Sequence, residues 1–249
     1  MTTEENQPPE TFIRFSPLQR LLHLVVMIGF TGLAVTGFSL KFSAQWWAHG
    51  FAWLVGGAGH LAYLHRFFAV ITYGCVLVHI IWLFYFKLAL KGSITGPQSL
   101  FPRVQDIKDM FQHMGYFFGR GSIPRFNRFT YWEKFDYLAL FLGMNTMGFT
   151  GLFLWFPEFF TTLLPGYFIN LAQVLHLYEA IMAVALKFVV HMVTTHLRPE
   201  TFPVEKTIFN GKTTREKMRH EHPGELDSVE HKSDLNGLTQ RRKDAKSFS

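Results

Sequence analysis

Residues 64–90 read LHRFFAVITYGCVLVHIIWLFYFKLAL. Apart from Arg66 near its start and Lys87 near its end, the run holds no Lys, Arg, Asp or Glu, and it contains two histidines, His65 and His79. About 20 apolar residues at 1.5 Å each cross the ~30 Å hydrocarbon core of a bilayer, so this stretch is long enough to span one. The surroundings agree. Between Thr11 and Gln105 there is no Asp or Glu, although the whole chain carries 18 acidic residues. A region that long without a carboxylate is not the interior of a soluble helix pair; it is membrane.

Three further apolar segments have the same character, at residues 18–42, 135–156 and 167–196. The expected fold is therefore all-α, an integral membrane four-helix bundle. Charge at the ends of the spans sets its orientation. Arg14 and Arg20 precede the first span, and eleven Lys and Arg follow Leu197. The link between the second and third spans carries Lys91, Arg103, Lys108, Arg120, Arg125 and Arg128, flanked by Lys87 and Lys134. The links at 43–63 and 157–170 contain no Lys or Arg. The positive-inside rule then places both termini and the middle link in the cytoplasm.

Within the links, Trp46, Trp47 and Trp53 followed by Gly56, Gly57 and Gly59 predict an interfacial segment on the outer side. Residues 104–118 put Ile107, Met110, Phe111 and Met114 on one helical face, which predicts a cytoplasmic amphipathic helix between the second and third spans. The domain boundaries that follow are a cytoplasmic N-terminal segment at 1–16, the membrane domain at 17–200 and a cytoplasmic tail at 201–249. The tail, with Pro203, Pro223 and many charges, reads as a soluble and partly disordered extension. The start MTTEENQPPETF has no basic region or cleavage site, so the first span is expected to be retained. No internal repeat is evident.

Composition excludes several classes. The net charge of +6 sits in blocks between apolar runs, without the mixing of base-stacking aromatics and basic residues that nucleic-acid binding requires. The single cysteine, Cys75, rules out an internal disulfide, an iron–sulfur cluster held by this chain and covalent c-type haem.

Ionisable side chains inside a bilayer are costly and mark function by default. His23, His65, His79, His176 and His191 all lie in the spans, with His196 at the inner end of the fourth. They sort into two depths. His65 and His176 lie towards the outer side; His23, His79 and His191 lie towards the inner side. His65 and His79 are 14 residues apart and His176 and His191 are 15. In α-helix these spacings give rises of roughly 21 and 22 Å with angular offsets of about 40° and 60°. Each helix thus presents two histidines on one face. Two such helices can ligate one haem b in each leaflet, and bis-imidazole ligation, which leaves no open position on iron, suits electron transfer. Glycines at 29, 32, 37, 74, 143, 148 and 151 would let a macrocycle approach the backbone. At the inner depth three histidines compete for two positions. Helical symmetry favours His79 with His191, and His23, beside Arg20, reads equally as a quinone or propionate contact. Two haems are expected and a third is left open. Arg20, Arg66 and Lys187 are candidate propionate partners, and snorkelling accounts for Arg66 equally well. Glu179, three residues after His176, could hydrogen-bond near the outer haem.

These residues resemble the cytochrome b subunits of formate dehydrogenases and nickel–iron hydrogenases. The first span shows Arg20-x-x-His23 and then Thr36-Gly37; the second begins Leu64-His65-Arg66-Phe67-Phe68; the third ends Thr150-Gly151-x-x-x-Trp155-x-Pro157; the fourth carries His176 and His191. The run from His196 to Glu200 is similar to cytochrome b modules that accompany multihaem c-type cytochromes. The resemblance covers residues 14–200. It implies His65 with His176 on the outer haem, and His23 with the second histidine of helix four on the inner one. Family spacing on that helix is commonly one residue shorter and would fall on Val190, so a local helix irregularity is implied. His79 has no counterpart. The resemblance also implies a quinone beside the inner haem, near the matching Glu133-Lys134, where Glu133 and Asp136 could bind and protonate it; Asn127 and Tyr131 are further candidates. The charged start of that span reads equally as an interfacial anchor.

Together these readings describe a multi-pass protein of a prokaryotic cytoplasmic membrane. It would be the quinone-reactive electron-transfer subunit of an oxidoreductase complex, and its partner outside would be a separate iron–sulfur protein or multihaem cytochrome c. The rivals are a haem-free transporter or anchor using histidines for ions or protons, and a haem-based transmembrane metalloreductase.

Overall fold

A computed structural model describes residues 10–199 and 201–231. The acidic start at 1–9, Glu200 and the tail from 232 onward lie outside the described residues. The chain is 73% helical, and the strands found among the described residues are three residues each, so the all-α expectation holds apart from one short ribbon. Among the described residues four helices are long and apolar enough to cross a membrane: α1 (Pro17–Lys41), α3 (Ala58–Leu88), α5 (Tyr131–Trp155), and α7 (Tyr167–Val184), which runs on into a π-helix (Ala185–His196). Their outward side chains are large and apolar, Ile28, Val70, Ile81, Phe149 and Val189 among them, as a lipid-facing bundle requires.

Local chemistry sets the element ends. Ser16 caps α1 in a capping box with Gln19, and Pro17 occupies the first turn, where its missing N–H costs nothing. The tryptophan-rich link forms a short helix, α2 (Trp46–Leu54), with Trp46 and Trp53 exposed. It turns into α3 through Gly56 and Gly57 at φ of 92° and 109°, a region side chains with a Cβ rarely enter. α3 therefore begins well before the residue 64 expected from hydropathy.

The chain divides into two compact units. One comprises Phe15–Lys91 and Ala139–Gly211 and holds most of the membrane helices. Within it the helices close a ring. Gly29 of α1 lies against Thr72 of α3, and Gly32 against the Phe68 ring. Gly148 of α5 lies against Tyr73 of α3, and Gly143 of α5 against Glu179 of α7. Phe30 of α1 meets Phe188 of the π-helix at 5.9 Å. Glycine-lined helix contacts allow this close approach where lipid provides no hydrophobic drive for association.

The other unit comprises Met1–Arg14, Gly92–Leu138 and Lys212–Ser249. Here α4 (Val104–Phe117) is the helix foreseen at 104–118, with Ile107, Phe111 and Met114 exposed. Its Asp106 is buried and pairs with buried Lys134 of α5 at 2.7 Å, an ion pair that fixes one helix against the other. β1 (Thr11–Ile13) pairs antiparallel with β2 (Lys212–Thr214), which leads into α9 (Arg215–Glu221). The tail from 232 onward lies outside the described residues, and the described residues 212–231 are built into this unit.

The knot of the unit is buried. Arg14 pairs with Glu225, which also accepts from Arg128 at 2.8 Å. His222 donates from Nδ1 to the Asn127 carbonyl at 2.8 Å, which leaves Nε2 to accept from Arg14 at 3.1 Å. Burial first, and the neighbouring Arg14 charge second, push the His222 imidazole down to about 4. A histidine held neutral in the fold but titrating near 6.5 when released stabilises the fold fully above that pH and loses the contribution as pH falls towards 4. The expected loss is on the order of 3 kcal/mol between pH 6.5 and 4. Amide exchange of residues 212–231 should accelerate over that window, and a His222→Gln variant should flatten the dependence.

Candidate histidine sites in the bundle

His65 lies in the second turn of α3, and His176 in the third turn of α7. Their rings face each other with centroids 6.5 Å apart and planes at 74°. A metal held by two imidazole nitrogens at about 2.0–2.1 Å, with each ring centre roughly 1.1 Å further back, needs centroids ~6.3 Å apart. The pair is set at iron-bridging distance. Two more residues on the neighbouring helices complete the layer. Thr36 of α1 lies 2.9 Å through Oγ1 from Nδ1 of His65, and Thr150 of α5 lies 2.9 Å from Nδ1 of His176. The residues that follow are glycines. A Cβ added at Gly37 would sit 3.0 Å from Cε1 of His65, and one at Gly151 would sit 3.4 Å from Cε1 of His176. Each hairpin thus repeats one device, a Thr-Gly pair on its first helix facing a histidine on its second. The sequence shows both Thr-Gly pairs and both histidines; only the packing shows that each pair faces its histidine.

At the other end of the bundle His23, His191 and His196 gather, with their nearest ring nitrogens all within 4.8 Å of one another. His23 and His191 have centroids 6.5 Å apart at 37°, the same spacing as the first pair. His196 lies 6.4 Å from His23 and 5.4 Å from His191. Its Nδ1 is buried without a hydrogen-bond partner, an orphaned polar atom aimed among side chains that could hold a ligand. His79 is not in this group. It stacks on Trp82, with centroids 6.3 Å apart and planes at 17°. The structure therefore brings His23, and not His79, beside His191.

The π-helix is what makes that possible. Its hydrogen bonds close one residue further along than those of an α-helix, so a π turn takes up about one extra residue. Ala185–His196 is wound this way, and His191 sits inside it. The irregularity that the family resemblance implied for this helix is present, as the π-helical stretch Ala185–His196.

The charged residues fall into place around the layers. The Arg66 guanidinium stacks over the rings of Tyr63 and Trp155, at 5.9 and 5.5 Å. Arg20 donates to the Phe209 carbonyl and keeps its Nε buried without a partner. Beside it lies a cavity of about 200 Å³, lined by Arg20, His23, Met27, Met192, His196 and Phe209. Lys187 is half-buried in the π-helix, one turn before His191. Glu179 packs against Gly143. In the second unit, Glu133 closes a capping box at the start of α5: the Thr130 N–H donates to its carboxylate at 2.7 Å, and its own N–H donates to Thr130 Oγ1 at 3.1 Å. Asp136 lies less than one turn further on and is half-buried.

A four-helix membrane bundle with histidines paired across it at iron-bridging distance, and glycines where a macrocycle would press on the backbone, defines a membrane-bound b-type cytochrome. The sequence model of the prokaryotic cytochrome b561 family, the nickel–iron hydrogenase cytochrome b type, matches residues 14–208. The chain belongs to that family. It is a membrane b-type haem electron-transfer protein. No curated protein matches the chain.

The two glycines make a graded prediction. At 3.0 Å the Gly37 position is too tight for a methyl group unless His65 shifts, while 3.4 Å at Gly151 is close to ordinary contact. Gly37→Ala should lower the haem retained per purified chain more than Gly151→Ala, read by pyridine haemochromogen absorbance. Equal retention, or the reverse order, would contradict the geometry.

Proposed function

We propose that this chain is a di-haem cytochrome b of a prokaryotic cytoplasmic membrane, the quinone-reactive electron-transfer subunit of an oxidoreductase complex. His65 and His176 hold the outer haem, and His23 and His191 the inner one. The observation that carries this reading is the shared 6.5 Å ring spacing of two histidine pairs at opposite ends of one bundle. Haem would supply a reversible one-electron couple, and two imidazoles holding it would leave no open position for substrate. The protein supplies orientation and exclusion of water: its helices fix the rings, and its apolar exterior keeps them in hydrocarbon.

The topology that fits has both termini and α4 in the cytoplasm, with membrane domain 17–200 between cytoplasmic segments 1–16 and 201–249. Electrons pass between a quinone pool at the inner layer and a separate iron–sulfur protein or multihaem cytochrome c outside. Arg20 and Lys187 at the inner layer, and Arg66 at the outer, are the cations suited to haem propionates. The apolar cavity beside His23 and His196 has the character of a quinone site, with a buried N–H donor at Arg20 Nε and a buried ring nitrogen at His196 Nδ1. Glu133 and Asp136 are the carboxylates that would exchange the quinone's protons with water, and the Glu133 side chain is 42% exposed.

A second reading draws on the three histidine nitrogens within 4.8 Å, which could hold a divalent cation in place of the inner haem. Haem counting separates the two. The purified chain should show a b-type α-band on reduction and two haems per chain. His65→Ala, His176→Ala, His23→Ala and His191→Ala should each leave one, and His79→Ala should keep both. Two haems in His23→Ala with one in His79→Ala would reverse the inner assignment, and a wild-type chain with one haem and one zinc would favour the cation reading. Glu133→Gln with Asp136→Asn should slow haem reduction by a quinol roughly tenfold or more while leaving haem content unchanged.

A further inference from the structure

The outer histidines are not held by their helices alone. A threonine hydroxyl has one proton to give and lone pairs to receive. Thr36 Oγ1 lies 2.6 Å from the Gly32 carbonyl, and Thr150 Oγ1 lies 2.7 Å from the Thr146 carbonyl, the back-bond a helical threonine makes to the preceding turn. With its proton committed to the backbone, each hydroxyl can only accept from the ring nitrogen 2.9 Å away. The imidazole proton must then sit on Nδ1 of both His65 and His176, and each Nε2 keeps its lone pair for a metal. Both threonines are buried, at 1% and 8% exposure, so water does not compete for the bond.

We propose that Thr36 and Thr150 are the positioning residues of the outer haem. Each fixes the tautomer and rotation of one axial histidine by accepting its Nδ1–H, and the glycine after it sets how far the ring can advance. The inference rests on His65 and His176 being axial ligands. Its chemical consequence concerns iron. A hydrogen-bond acceptor on the far nitrogen makes an imidazole a stronger donor, which favours the ferric state and lowers the reduction potential. A hydroxyl does this less than a carboxylate would, because it carries no charge. The two hairpins act on the same iron from opposite sides, so their effects should add.

The experiment is a redox titration of the α-band in the purified full-length chain, with the outer component identified as the one missing from His65→Ala. Thr36→Val and Thr150→Val keep the branched shape and remove the acceptor; Thr36→Ser and Thr150→Ser keep the acceptor. The valine variants should move the outer component to higher potential by up to about tenfold in the ferric/ferrous ratio, ~59 mV for one electron. The inner component should stay where it is, and the double valine variant should move further than either single one. The serine variants should match wild type. If a valine variant binds less outer haem, wild-type content and potential in the matching serine variant assign that loss to the hydroxyl and support the proposal. Unchanged potentials in haem-replete valine variants, a serine variant that behaves like its valine counterpart, or an equal shift of both components overturns it. Absence of a b-type band from the wild-type chain would instead remove the ligand assignment on which the inference stands.

Discussion

An imidazole in hydrocarbon has two ring nitrogens that need partners, and the bundle is organised around providing them. One nitrogen of His65 and of His176 is satisfied by a threonine on the adjacent helix. The other faces its counterpart across the bundle, with ring centroids 6.5 Å apart. Unmet polar groups in a membrane interior cost several kcal/mol each, and the 6.5 Å ring spacing is one that a metal held between the two imidazoles would fit. The helix neighbours follow from it: α1 must lie beside α3, and α5 beside α7, for the threonines to reach.

The same need explains where the backbone departs from regularity. A fourth span wound as α-helix throughout would carry His191 about 60° round from His176. The π-helix from Ala185 absorbs the surplus residue and turns His191 towards His23. A wide helix is a poor choice for stability alone, and π segments concentrate at functional sites for that reason. The layer it creates is less symmetric than the first. Three histidines meet there, and one of them, His196, keeps a buried nitrogen unpaired beside an apolar cavity.

Outside the spans a different economy holds. Charged groups here are buried as well, but with partners: Lys134 with Asp106, and Arg14 with Glu225, which half-buried Arg128 also reaches. Removing one member of such a pair costs more than the pair contributes, because a lone charge remains in low dielectric. This makes the unit specific about its partners, and it ties residues near both chain ends to the link between the second and third spans.

How much of this was legible beforehand depended on the range of the interaction involved. Spans, caps and the amphipathic segment are local, and hydropathy with 3.6-residue periodicity placed the spans closely, except that α3 starts several residues early at Ala58. The pairing of His65 with His176 was also within reach, because span lengths alone set their depth. At the inner depth the sequence left two candidates open, His79 from straight-helix geometry and His23 from the family resemblance; the structure sets His23 beside His191, stacks His79 on Trp82 and adds His196 to the group. The pairing of the N-terminal strand with the tail joins residues some 200 positions apart, as β1 with β2 shows, and no local pattern announces such a contact. The sequence by itself determined that four helices enter a membrane with histidines at two depths, because hydrophobic length and the cost of buried imidazole act residue by residue. Only the tertiary structure decided which inner imidazole lies beside His191, because that depends on the accumulated twist of helices whose winding is settled by their neighbours.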